Sequence, residues 1–527
     1  MKKISISALL TSFIISLSLI VGEIIEKYGS IKYLLSKEYI YSNLISFLIY
    51  IIIFYIIVLT IFKNLNKKTS INNKVYNFIF NKHPITMVFL LLFLIGLPIV
   101  IIFYPGPVQW DGMWQLNYYS NIFPWSNHHP IFSTFILGSI QKIGSLIIND
   151  NFGIFLFTFT QYILSCYIFA NIIDFQTKLG TSDVIKLLTF IFFAISPSWY
   201  LYAYTFMKDT SYYLIFIIFF INYIRFFYND INKPQILTLL ISSILLILIR
   251  NNGIYVVSIS FLSLLFLKRD YKVISISFIA MFFIVQFILN SIMSIYNIEK
   301  SNIRETLSIP IQQIARYTIY NNIQNEEKEK ISKLFMYDEN DFATLYNPDI
   351  SDPIKEGLFI ENKNDFKLFL SLWIDVLKKD PITCIDATLN NTYGYFYPYK
   401  EDVKESIGYF RVVNNKKINK GNFDFHMNKK YQKARKAFEN TFYTLRRNKY
   451  IKFMYNTGTY FIVFIILLGY SIYKKQSSYL VVSVPLMMTF AFCILSPVNA
   501  YLRYMNPLIV CLPIFLSLIT SNKYNKN

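Results

Sequence analysis

The chain has 527 residues, 54% apolar and only 16% charged, a balance that excludes an ordinary soluble protein of this length. Its formal charge of +20 sits mostly in short loops between apolar runs, where bilayer topology accounts for it, and no basic stripe interleaved with aromatics marks a nucleic-acid partner. The four cysteines, Cys166, Cys384, Cys493 and Cys511, form no C-x-x-C pair and three of them lie inside apolar runs, which argues against a disulfide framework.

Apolar runs able to cross roughly 30 Å of hydrocarbon recur about twelve times. They centre on 4–22, 43–62, 86–104, 152–173, 185–200, 210–228, 235–250, 254–267, 272–296, 451–473, 478–496 and 502–520. The first follows Met1-Lys2-Lys3 and has no small-x-small cleavage site after it, so it reads as an uncleaved span. A further run, 131–148, carries Gln141 and Lys142, and loop charge decides its course. With Met1 cytoplasmic, so is the loop 63–84 with Lys63, Lys67, Lys68, Lys74 and Lys82. If 131–148 does not cross, then Arg225, Lys233, Lys268, Arg269, Lys272, Lys474, Lys475, Lys523 and Lys526 fall on that same side, as the positive-inside rule requires. The expectation is an all-α polytopic membrane protein with an interfacial helix at 131–148 and both termini cytoplasmic. Three parts follow: a membrane module 1–296, a mainly helical external domain 297–450 with 25 basic and 21 acidic residues, and C-terminal membrane helices 451–527. Within 297–450, helices are expected over Asn325–Phe335, over Asp365–Lys379 and, strongly basic, over Met427–Tyr450.

This topology gathers the chemistry-bearing residues on the external face. Asp111, in the loop after the third span, either caps a helix starting at Gly112 or acts as a partly desolvated general base toward a hydroxyl. His128 and His129 precede Pro130, which suits the first turn of the next helix; adjacent residues do not share a helix face, which speaks against a two-histidine metal site. Lys208 and Asp209 are solvated anchors or site residues. Arg250-Asn251-Asn252-Gly253 interrupts an apolar run, and its arginine either snorkels or holds a phosphate. Gln312, Gln313 and Arg316 open the external domain, and Arg503 with Tyr504 begins the last span. Arginines beside a carboxylate suit a lipid-phosphate substrate, the cations binding phosphate and the aspartate taking the acceptor proton.

The order of these features resembles the GT-C superfamily of membrane glycosyltransferases, which use polyprenyl-phosphate sugars. It is most similar to a group of bacterial GT-C-like proteins. The carriers are Tyr104-Pro105-Gly106 with Asp111, His129-Pro130, Lys208-Asp209, Arg250-Asn251-Asn252-Gly253, Pro310-Ile311-Gln312-Gln313-Ile314-Ala315-Arg316 and Arg503-Tyr504. The resemblance implies a GT-C-like bundle with Asp111 as catalytic base. It also implies a polyprenyl-phosphate or -pyrophosphate sugar donor in the membrane lipid and a glycan or protein acceptor. Substrate-binding roles then fall to His128, His129, Lys208, Asp209, Arg250, Asn252, Gln312, Gln313, Arg316, Arg503 and Tyr504. No Asp-x-Asp or Glu-x-Asp motif accompanies Asp209, so no cofactor is firmly expected, a divalent cation being the one candidate. Two rival readings are a transporter or flippase for a lipid-linked saccharide and a non-enzymatic envelope-assembly protein. They differ in whether the named groups converge on one cavity, line a crossing tunnel, or scatter.

Overall fold

The computed structural model describes residues 5–265, 272–401, 410–412, 418–521 and 523–524. Lys2, Lys3, Lys268, Arg269 and Lys526, expected on the cytoplasmic side, lie outside them. Every regular element among the described residues is helical, and the only strand-like contacts are isolated bridges. In chain order the principal helices begin with α1 (Ile6–Tyr28), α2 (Ile40–Asn64), α3 (Pro84–Ile102), α4 (Trp110–Tyr119), α5 (Ile131–Ile147), α6 (Asp150–Lys178), α7 (Asp183–Ile195) and α8 (Pro197–Ala203). They continue with α9 (Lys208–Phe227), α10 (Lys233–Ile249), α11 (Gly253–Leu265), α12 (Lys272–Ile295), α13 (Ser308–Tyr320), α14 (Asn325–Leu334), α15 (Lys363–Lys379) and α16 (Pro381–Thr392). The last are α17 (Gln432–Arg447), α18 (Thr457–Tyr473), α19 (Val484–Ile494) and α20 (Leu502–Thr520). Local caps explain several boundaries. Ser5 accepts from the Ala8 amide at the start of α1, Gly29 ends it at φ 67°, and an Asn232–Gln235 capping box opens α10.

Seven helices, α1, α2, α3, α6, α9, α12 and α20, are long and apolar enough to cross a membrane. An eighth crossing arises if α7 and α8, bent by 62° at their junction, count as one. Four of the expected twelve runs form shorter helices: α10, α11, α18 and α19, of 17, 13, 17 and 11 residues. At 1.5 Å per residue these reach only about 17–26 Å. The cause lies in the interruptions: Arg250-Asn251-Asn252 separates α10 from α11, and Ser483 breaks the run before α19. The outer walls expose apolar side chains as a lipid-facing surface does, with Ile52 and Ile56 of α2 each 60% exposed.

The bundle has two distinct ends. At one, Asp183 N donates to Thr69 O (3.0 Å), Thr177 to Phe80 O (2.9 Å), Ser521 to Leu179 O (2.6 Å), and Lys523 pairs with Asp230 (2.5 Å). At the other, Phe206 N donates to Pro107 O (2.8 Å), Asn251 to Asn127 O (3.0 Å) and Ser351 N to Pro497 O (2.9 Å). These are the two groups of loops that charge separates in the sequence. Along α6, Thr158 donates to Pro105 O (2.8 Å) and Gln161 to Thr205 O (2.8 Å), so α6 meets the level of the second end only at its third turn. α5 packs on the turns before that, with Ser145 donating to Asp150 (2.6 Å) and Gly144 against Gly153. α5 thus lies against the first turns of α6.

The region 297–450 divides where one unit is expected. Ile311, Ile314, Phe335, Phe342, Leu358, Phe369 and Leu372 form a second apolar core that reaches only to Cys384. Tyr393, Tyr395, Tyr397, Phe410 and Phe442 instead join the main core of the bundle, because their rings fill the gap beside α1, α3 and α18.

Candidate functional site

The site starts from the turn after α3. Gly106 has φ 118°, and a Cβ there would sit 2.8 Å from Thr158 and 3.0 Å from Tyr204 O, so glycine is required both by conformation and by space. The turn lays 105–108 beside 204–206, next to the start of α9. Gln109, not Asp111, is the N-cap of α4. Asp111 therefore stands in the first helical turn with its carboxylate free to meet other groups.

Four helix ends deliver the partners. Asp111 Oδ2 lies 3.0 Å from Arg503 Nη1 and 3.7 Å from Lys208 Nζ. Lys208 Nζ is 3.0 Å from His129 Nδ1; an ammonium has only donors, so Nδ1 accepts and the ring is neutral with its proton on Nε2. Adjacent in sequence, Asp209 turns to the other flank, 3.5 Å from Arg250 Nη2 and 3.8 Å from Arg503 Nη1. The Arg250 guanidinium is 5.2 Å from the Tyr212 ring centre and 5.3 Å from that of Tyr504, close enough for cation–π attraction. Gly253 positions this arginine by space alone: its φ is not left-handed, but a Cβ would collide with the backbone carbonyl of Leu246.

Three cations, Lys208, Arg250 and Arg503, face two carboxylates, Asp111 and Asp209, which leaves one positive charge in a nearly dry cluster. Asp209 is 4% exposed at its side chain and Asp111 24%. Burial alone would raise the Asp111 carboxyl, but Arg503, then Lys208 and His129, outweigh it and hold it below the usual carboxylate range. Burial, then Lys208, pushes His129 well below its ordinary value, and burial also lowers His128. A pH dependence of stability follows. Below about 6.5 the unfolded imidazoles bind protons that the folded ones refuse, so stability falls as pH drops. Asp111 adds a second loss of the same sign below the ordinary carboxylate range. Thermal unfolding in lipid nanodiscs should show a falling midpoint between pH 7 and 5, and His128→Gln/His129→Gln should flatten that segment. An unaltered slope in the double variant would contradict the assignment.

Beside the cluster lies a cavity of about 830 Å³. Its lining is mixed: Ile247, Phe283, Leu289, Met293 and Phe492 are apolar, while Arg250, Asn252, His128 and Tyr504, with Gln286, Asn290 and Thr489, are polar. Asn252 Oδ1, Arg503 Nε and both amide atoms of Asn506 are buried without a hydrogen-bond partner in the protein. Sequence reasoning missed the lining residues Tyr212, Lys300 and Glu305, and the buried amide of Asn506. Asn506 was findable as the i+3 neighbour of Arg503, and Lys300 and Glu305 among the charges Glu299, Lys300, Arg304 and Glu305 that directly follow the span 272–296.

The expected set is only partly brought together. Asp111, His129, Lys208, Asp209, Arg250 and Arg503 form the cluster; His128, Asn252 and Tyr504 line the adjoining cavity. Gln312, Gln313 and Arg316 are engaged elsewhere. Gln312 donates to Asn347 O (2.8 Å), Gln313 donates to Thr388 (2.9 Å) and accepts from Trp373 (2.6 Å), and Arg316 donates to Gly29 O (2.6 Å) at the end of α1. They tie α13 to its neighbours because α13 buries the face that carries them, and Lys208 takes the place expected for Arg316 as third cation. Among the described residues no group of three or more His, Cys, Asp or Glu could hold a metal ion.

A sequence model of a family of unknown function, DUF6020, matches residues 124–527, most of the chain. The chain belongs to this family. The DUF6020 region contains His128, His129, Lys208, Asp209, Arg250, Asn252, Arg503 and Tyr504, whereas Asp111 and its turn precede it. No curated protein and no solved structure matches the chain.

Proposed function

We propose that this DUF6020 member is a multi-pass plasma-membrane glycosyltransferase that moves a sugar from a polyprenyl-phosphate donor to an extracytoplasmic hydroxyl. The observation that carries the reading is the cluster of three cations and two carboxylates beside a cavity that Arg250 lines together with apolar side chains such as Ile247, Phe283 and Leu289. An isoprenoid chain suits those apolar side chains and a phosphate suits Arg250 and Tyr504. Charge favours a monophosphate-linked donor over a pyrophosphate: a phosphodiester carries one negative charge, which matches the one uncompensated positive charge. As the sugar–phosphate bond breaks, the leaving phosphate gains a second negative charge. The growing charge on the leaving phosphate draws Arg503 and Lys208 from Asp111, which removes what holds its carboxyl low and lets it take the acceptor proton as the new glycosidic bond forms. His129, neutral and accepting from Lys208, orients that ammonium.

In this reading the seven long helices, the bent α7–α8 pair and the four shorter helices together make twelve crossings, with α5 interfacial. The cluster faces outward, and the termini are cytoplasmic. Comparison of envelope glycans from cells with and without the protein tests it. The expected result is loss of one sugar substitution, which names product and acceptor together; an unchanged glycan profile would sink the proposal.

A further inference from the structure

We infer that α17 carries a membrane-surface site for anionic phospholipid head groups, separate from the charged cluster. Between residues 429 and 452 the chain has nine basic residues and one acidic residue, Glu439. That one acid is met by Arg411 at 3.5 Å, so it does not offset the surface. At 100° per residue Lys433, Lys436 and Arg447 fall on one stripe, and all three are exposed. Phe438, Phe442 and Leu445 occupy the opposite stripe. That face is turned to the protein: Phe438 packs 5.5 Å from the Phe103 ring centre, and Phe442 packs 5.2 Å from Phe410 and 5.5 Å from Tyr455.

The position of the helix chooses the partner. Arg435 donates to Ile102 O (2.9 Å), the last carbonyl of α3, and α18 starts ten residues after α17 ends. α17 is thus held where two apolar helices end, at the level of a bilayer surface. Exposed apolar and aromatic groups mark the same boundary: Ile101 is 47% exposed, Tyr450 77% and Phe453 51%. A basic stripe at that depth faces head groups, and anionic ones neutralise it.

The test uses the full chain in nanodiscs of equal parts phosphatidylcholine and phosphatidylglycerol, with retained lipids counted by native mass spectrometry after mild extraction. The wild type should retain phosphatidylglycerol in preference, and Lys433→Gln/Lys436→Gln/Arg447→Gln should lose that preference by about fivefold or more, each cation near an anionic surface being worth about that factor. Glutamine keeps the helix propensity, and Lys433→Arg/Lys436→Arg should retain the preference, separating charge from folding. Equal retention in wild type and the glutamine variant would overturn the inference. So would tight binding of a soluble polyanion to the stripe in pure phosphatidylcholine discs, which would assign it to a polymer instead.

Discussion

Replacing Arg503 by Met is expected to cost on the order of 3–5 kcal/mol of stability, the cost of removing one partner from a buried ionic cluster. Arg503 lies between both carboxylates, 3.0 Å from Asp111 and 3.8 Å from Asp209, with its side chain only 11% exposed. Methionine fills much of the same volume but leaves the two acids with Lys208 and Arg250 alone. The loss should appear as a large drop in the unfolding midpoint in nanodiscs. Adding Asp111→Asn should recover part of it, since the carboxylate that Arg503 holds at 3.0 Å is then gone, and a double-mutant cycle reads that coupling. A midpoint that does not move, or strictly additive losses, would mean that the cluster is not coupled as its distances imply.

The second large effect is on turnover. Asp111→Asn keeps the shape and removes the negative charge, so transfer from a polyprenyl-phosphate sugar should fall by roughly 10²–10⁴-fold, the range for loss of a positioned base. Donor binding should be unchanged or tighter, because the variant raises the uncompensated positive charge facing the phosphate by one. Retained turnover would remove Asp111 from the reaction and shift attention to the DUF6020 region, where Asp209 is the other carboxylate of the cluster.

The helical membrane character was legible because long uncharged runs leave few alternatives. The number of crossings was less so: hydropathy joins residues that the backbone separates, as at Ser483, whereas the break at Arg250-Asn251-Asn252 was legible. That these polar residues share one end of the bundle was legible from loop charge, since Lys and Arg placement constrains every later span. Convergence was a different matter. Lys208 and Asp209 are adjacent in sequence yet serve opposite flanks, which only the start of α9 against α4, α10 and α20 decides. Arg316 carries the same chemistry as Arg503, but it is spent on the carbonyl that ends α1. No local pattern distinguishes those two arginines. The cap at Gln109 likewise depends on the turn through Gly106, which sets where α4 begins.

The central claim is that the cluster breaks a sugar–phosphate bond at the membrane surface. Its most direct measurement is to incubate the reconstituted protein with a panel of polyprenyl-monophosphate sugars and envelope acceptors and follow the lipid by mass spectrometry. The account predicts that free polyprenyl phosphate accumulates in step with glycosylated acceptor, and that Asp111→Asn abolishes both. An intact donor that merely changes leaflet would contradict it and mark the protein as a carrier.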